Sequence, residues 1–315
     1  MQITVFGGTG FIGSHVVEQL LAAGLKPLCP VREGSDRSSL QSLPANTVTC
    51  DFSDSALASI MQDSDVVINC IAASAMAQSP ARQRQVDVVL TGRLLQQAQK
   101  AGVNRFIQLS TVQVYGFSRP STAIDENHPV CGDYAFNRIA IEREHHLLQL
   151  AAGSDTELLL LRPANAFGAR DRNLDEMISL HRRGWFLCIS RQAVFSAVHA
   201  GDIGRAMAFL AQAVKPQYRC YLLESSQLNW PQLKQALDAA SGRKTRLLYL
   251  PARLMLALAW LCEALTPTGH QAVLDRFAVK VLSTQTLFDG SRLRQEGFDT
   301  VYPLQDALTD YFGGA

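Results

Sequence analysis

The stretch Ile3-Thr4-Val5-Phe6-Gly7-Gly8-Thr9-Gly10-Phe11-Ile12-Gly13-Ser14-His15-Val16-Val17 decides the fold. Ile3 to Phe6 are apolar and β-branched enough to form a buried strand, whereas from Phe11 to Ala23 the apolar residues recur at helical spacing. The glycines stand at the junction, and each has a separate physical task. Gly7 permits a tight turn, Gly10 lets backbone approach a pyrophosphate, and Gly13 lets helix and strand pack closely. Phosphate at that point would meet the unpaired N–H groups of the helix start, at the positive end of its dipole. A glycine triplet alone is weak, but this one has a strand before it and a helix after it, as a dinucleotide site requires.

Outward from this loop the first half alternates apolar runs with amphipathic stretches, which predicts βαβ units and a parallel sheet. Strands are expected at Pro27–Pro30, Val48–Cys50, Val66–Cys70, Phe106–Leu109, Leu158–Leu161, Val194–Val198 and Leu247–Leu250. Helices are expected at Ala81–Ala101, stopped by Gly102, and at Tyr134–Ala152. The fold class is therefore α/β, a Rossmann-type doubly wound parallel sheet with a smaller, mainly helical C-terminal lobe for substrate. The dinucleotide-binding domain is placed at 1–167 with a returning segment at about 192–225. The substrate lobe takes 168–191 and 226–315.

Composition narrows the function. With 29 basic and 28 acidic residues the net charge is +1, which leaves no basic stripe for a nucleic acid. The seven cysteines are scattered without a C-x-x-C pair, so neither zinc nor a redox dithiol is suggested, and no metal is expected. Unpaired thiols and the absence of a signal sequence at the start suit the cytoplasm. Pro251–Leu265 is apolar on nearly every side of a helix but carries Arg253 and Glu263 and is too short to span a bilayer. Such a helix is buried, covers an apolar pocket, or makes peripheral contact with a membrane or a partner.

On the cofactor side, Arg32 follows the second strand, where a guanidinium can pair with a 2′-phosphate; this favours NADP, while Glu33 leaves NAD open. Asp51 and Phe52, after the third strand, are expected to frame the adenine. Ile71, Ala72 and Ala73, after the fourth, are expected to line the cofactor channel.

Taken in order, GGTGFIG (7–13), DVVIN (65–69), STVQVYG (110–116), YAFNR (134–138), LRPANAFG (161–168), VHAGDIGRA (198–206) and FDGSRLRQEGF (288–298) make the chain resemble an extended short-chain dehydrogenase/reductase of the NAD-dependent epimerase/dehydratase family. The resemblance implies that Thr111, beside Ser110, orients the substrate oxygen and that Tyr134 passes the proton. It implies that the cation four residues on lowers the tyrosine pKa and reaches the nicotinamide ribose. The chain departs from the family here: position 138 is Arg, not Lys. Arginine remains cationic but cannot give up its proton in a relay. The cofactor-facing set becomes Gly7, Gly10, Phe11, Ile12, Gly13, Arg32, Asp51, Phe52, Ile71, Ala72, Ala73, Tyr134, Arg138, Pro163 and Asn165. Glu142 is read as structural, and His15 and His199 as packing or hydrogen-bonding residues.

For the substrate, Phe195 stands where nucleotide-sugar enzymes of this kind carry a diphosphate-gripping arginine. Arg170, Arg172, Arg182, Arg183 or Arg191 could compensate. With the apolar stretch 251–265, Phe195 favours reduction of a carbonyl, or oxidation of an alcohol, on a small, partly apolar substrate. A nucleotide-sugar epimerase or dehydratase is the alternative, and a cofactor-binding protein with an attenuated site is a third. A homodimer is left open.

Overall fold

The computed structural model describes residues 1–73, 79–117, 122–171, 175–266, 274–309 and 311–312. Arg172 lies outside them. Seven parallel strands form the central sheet in the order β3-β2-β1-β4-β5-β6-β10. They are β1 (Ile3–Phe6), β2 (Leu28–Val31), β3 (Asn46–Thr49), β4 (Val66–Asn69), β5 (Arg105–Leu109), β6 (Glu157–Pro163) and β10 (Cys220–Leu223). Strands β1, β4 and β5 are buried along their whole length. This is expected of a parallel sheet covered on both faces, and the polar residues these strands carry, Thr4, Asn69, Arg105 and Gln108, are buried with the rest.

Helices α1 (Phe11–Ala22), α2 (Asp54–Met61), α3 (Pro80–Arg84), α4 (Thr91–Lys100), α5 (Ala135–Ala151) and α7 (Ala200–Gln212) cover the sheet. A wider π turn at Gln85–Leu90 joins α3 to α4. The helix expected at 81–101 is therefore interrupted, and the interruption carries a buried aspartate, Asp87. The strand order reverses between β1 and β4, which opens a crevice beyond their carboxyl ends. Gly7 lies at that crevice.

The second lobe contains a small sheet of β7 (Asn165–Phe167), β9 (Val194–His199) and β11 (Ser226–Asn229), and a parallel pair, β8 (Trp185–Cys188) with β12 (Arg246–Tyr249). Helices α6 (Asp175–Arg182), α8 (Trp230–Ser241), α9 (Ala252–Leu265), α10 (Arg276–Ser283) and α12 (Leu304–Thr309) complete it, while α11 (Ser291–Gln295) packs on β10 of the central sheet. The stretch expected to return to the main sheet divides. β9 pairs with β7 and β11 in the small sheet, and only α7 and β10 rejoin the large one.

Candidate active site

The loop after β1 is shaped by what a side chain would strike. Gly7 has φ +77°, and a Cβ there would lie 2.8 Å from backbone atoms of Cys70 and Ile71. At Gly13 a Cβ would stand 2.0 Å from the Gly7 carbonyl oxygen. Gly10 caps α1 in extended conformation, with no side chain bonded to the helix start and no acid in its first turn. The opening N–H groups of α1 are thus left for an outside anion, and Phe11 and Ile12 stand half-buried beside them. These residues fit a dinucleotide's pyrophosphate.

Around this cradle, Arg32 and Glu33 are both exposed just after β2. Asp51 is exposed, and Phe52, at φ +60°, packs its ring against Phe6 at 5.9 Å. Two buried side chains hold the loop beyond β4. Asn69 accepts from the Ile71 N–H at 3.1 Å, and Asp87 accepts from the Ala73 N–H at 2.7 Å. Ala72 between them is exposed. Burial raises the Asp87 carboxyl above its ordinary range, with Arg143 acting against that. Pro163 is buried at the end of β6, and Asn165 donates to the Ser196 carbonyl at 2.9 Å.

Thr111 and Tyr134 are tied to one another through the backbone of a short turn. Thr111 Oγ1 accepts from the Gln113 N–H at 3.2 Å and starts the 3-10 turn Val112–Tyr115. Its own O–H remains able to donate. Tyr134 precedes the first turn of α5, and its N–H donates to Asn137 Oδ1 at 3.0 Å. Asn137, fully buried, then donates to the Gln113 carbonyl at 2.6 Å. Sequence reading passed over Asn137, although an amide on the inward face of a helix needs such partners.

The Tyr134 ring stands edge-on to Phe117 at 5.6 Å and to Phe277 of α10 at 5.8 Å. Phe117 and Tyr134, together with Asp133, Ala135, Arg138, Arg276 and Lys280, border a cleft of about 570 Å³, and Phe277 packs behind the Tyr134 ring. Arg138 is exposed, and its guanidinium bends back to the carbonyls of Gly132 and Asp133, 3.3 Å from each. Burial raises the Tyr134 phenol above its ordinary value, and the cation that opposes this most is Arg276, from the far lobe.

Behind Thr111 lies a buried ion network. Ser110 donates to Glu144 Oε1 at 2.5 Å, and Arg162 of β6 grips both Glu144 oxygens, at 2.9 and 2.5 Å. Arg162 also donates to the Tyr115 hydroxyl at 2.6 Å, and Arg143 donates to Ser110 at 3.2 Å. Burial opposes the Arg162 charge, but Glu144 outweighs it and holds the guanidinium protonated. Four elements that frame the site are locked together in this way. Glu142, by contrast, pairs on the half-exposed side of α5 with Arg84.

His15 bonds the Ala169 carbonyl at 3.0 Å and packs against Phe11 and His199; burial lowers its pKa to about 4. His199 stacks on Tyr302. Phe195 is 5% exposed and packs on Trp230 at 4.9 Å in the core of the small lobe. Its ring fills that core and contributes nothing to a substrate wall. Arg170 is occupied by Glu18 and His15, while Arg182, Arg183 and Arg191 are exposed.

Residues 3–221 match the model of the NAD dependent epimerase/dehydratase family. The chain is 25% identical, over 97% of its length and 92% of the relative's, to N-acetyl-alpha-D-glucosaminyl-diphospho-ditrans,octacis-undecaprenol 4-epimerase of Escherichia coli O157:H7. It is 24% identical, over 94% and 91%, to 4-hydroxy-2-methyl-3-oxo-4-farnesyl-3,4-dihydroquinoline-1-oxide ketoreductase of Stigmatella aurantiaca. In fold it resembles the UDP-glucose 4-epimerase of Thermotoga maritima solved with UDP-glucose, with a TM-score of 0.79 at 20% identity over 99% and 98% of the two chains.

Proposed function

Because the chain belongs to the NAD-dependent epimerase/dehydratase family, we propose that it is an NADP-dependent oxidoreductase acting at a carbonyl or carbinol carbon of a partly apolar substrate. The observation that carries this reading is the aromatic wall at Tyr134, where Phe117 and Phe277 meet the phenol edge-on. A flat apolar or unsaturated group fits against such rings. The nicotinamide, when bound, supplies or takes up the hydride.

The chain's own residues manage the oxygen. Thr111 donates a hydrogen bond to the carbonyl oxygen while Gln113 holds its Oγ1 in place. The Tyr134 phenol, kept protonated by burial, gives its proton to that oxygen as charge develops there. Arg138 supports the N-terminal turn of α5 and steadies the segment before Tyr134. Arg32, exposed at the end of β2, supports the preference for the 2′-phosphate.

A second reading is favoured by a different observation. Arg138, Arg276 and Lys280 border the same cleft and offer cations to a substrate phosphate, the task that Phe195 cannot perform. The E. coli relative's name specifies a diphospho-undecaprenol sugar, which is both anionic and apolar. Incubation with NADPH and a panel of hydrophobic ketones separates the readings. Oxidation of NADPH in step with alcohol formation supports the first. Interconversion of a polyprenyl-diphospho sugar without net cofactor consumption, and no ketone turnover, replaces it with the second.

A further inference from the structure

Helix α9 keeps only a narrow stripe inside. Met255 and Ala259 are buried against Ile189 and Val279, while Leu254, Leu258, Trp260, Leu261 and Leu265 are exposed, by between 43% and 75%. Leu254, Leu258, Leu261 and Leu265 follow the spacing of one helical face, so the exposure is a continuous apolar ridge. Solvent does not ordinarily face such a ridge in a soluble monomer.

The surface beside the ridge has a definite charge. Seven basic residues and no acidic one occur within Arg182–Arg191 and Arg243–Arg253, the two segments that carry β8 and β12, and all seven are exposed. Aromatic rings lie among them: Arg246 stands over Trp185 at 5.8 Å, and Arg191 over Tyr249 at 4.8 Å. Trp185 and Tyr249 are themselves 40% and 41% exposed. Leu187 of the same strand pair packs against the buried side of α9, which makes ridge and basic edge neighbours.

We infer that this face docks on the surface of an anionic phospholipid bilayer, with the α9 ridge entering the acyl boundary and the basic edge meeting the headgroups. An apolar helix flanked by cations and interfacial aromatics has this affinity, and each element alone would bind weakly. A second copy of the chain is disfavoured, since a two-fold contact through this face would set the same cations against each other. No described helix is long and apolar enough to cross a membrane, so the contact is peripheral.

The position of the ridge gives docking a consequence. α10 packs on α9 through Val279, and Glu263 of α9 holds the Arg276 side chain at 2.6 Å. The next residue, Phe277, forms the wall over Tyr134. The docking helix α9 thus also supports α10 at the cleft, which places that side of the cleft at the lipid boundary.

Co-sedimentation with vesicles tests the inference without any substrate, so docking and turnover can fail independently. The full chain is expected to bind phosphatidylcholine–phosphatidylglycerol vesicles at low salt and to bind pure phosphatidylcholine vesicles at least about tenfold more weakly. Leu258→Glu/Leu261→Glu and Arg246→Glu/Arg253→Glu alter only exposed side chains. Each is expected to reduce binding about tenfold or more while leaving the melting temperature unchanged. Absence of binding to the anionic vesicles, or full binding by both variants, would overturn the inference. A concentration-dependent dimer that Leu258→Glu/Leu261→Glu dissociates, with no vesicle binding, would assign the face to a second copy and overturn it equally.

Discussion

The two ends of the site are built on different principles. At the glycine loop the backbone does the work: a Cβ at Gly13 would stand 2.0 Å from a carbonyl oxygen, and the groups offered to phosphate are main-chain N–H donors. At Tyr134 the work falls to side chains from α5, the 3-10 turn and α10. Backbone geometry admits one residue type and leaves a local signature. A constellation of side chains admits substitutes, and the departure at position 138 lies there. On the proposed function, cofactor binding and proton transfer are expected to be separable in this chain.

The largest effect that would break this separation is at the loop. Gly13→Ala is expected to weaken NADPH binding by about a hundredfold or more, read by fluorescence titration, because the new methyl forces helix and turn apart. Unchanged affinity would mean that the loop is not the cradle. Next comes the network behind Thr111. Glu144→Gln leaves Arg162 as an uncompensated buried charge and is expected to cost about 3–5 kcal/mol in a denaturant titration. A loss under about 1 kcal/mol would show that solvent reaches the pair.

A smaller effect is set by pH. The folded-state pKa of His15 is about 4, below the ordinary 6.5, so between those values the unfolded chain binds the proton more readily. Stability from this group is complete above pH 6.5 and is lost as the pH falls towards 4, by about 3 kcal/mol at most. His15→Gln should flatten that part of the stability–pH curve, and a curve of unchanged slope would place the titration elsewhere.

What could be read in the sequence follows the same division. The strand Ile3–Phe6 and the glycine positions were readable because their causes lie within a few residues of one another. Arg143 and Glu144 were not, since in a helical pattern two adjacent charges mark a solvated face. Their burial is tolerable because Ser110, just after β5, and Arg162 of β6 meet them, with Asp87 opposing the burial of Arg143. Phe195 reads as an altered phosphate site until Trp230 is seen against it. Arg276 and Phe277 stand far along the chain from Tyr134, and no local pattern announces their meeting. Position 138 was visible as a departure, but its guanidinium turns to the Gly132 and Asp133 carbonyls, which spacing alone does not reveal.

The most direct test of separable binding and chemistry is a paired measurement on Tyr134→Phe, which removes one hydroxyl and keeps the ring between Phe117 and Phe277. The NADPH dissociation constant is expected to stay within about threefold of the parent while kcat on the best ketone falls by about 10²–10⁴. Parallel loss of affinity and turnover, or turnover that survives without the hydroxyl, would contradict the account.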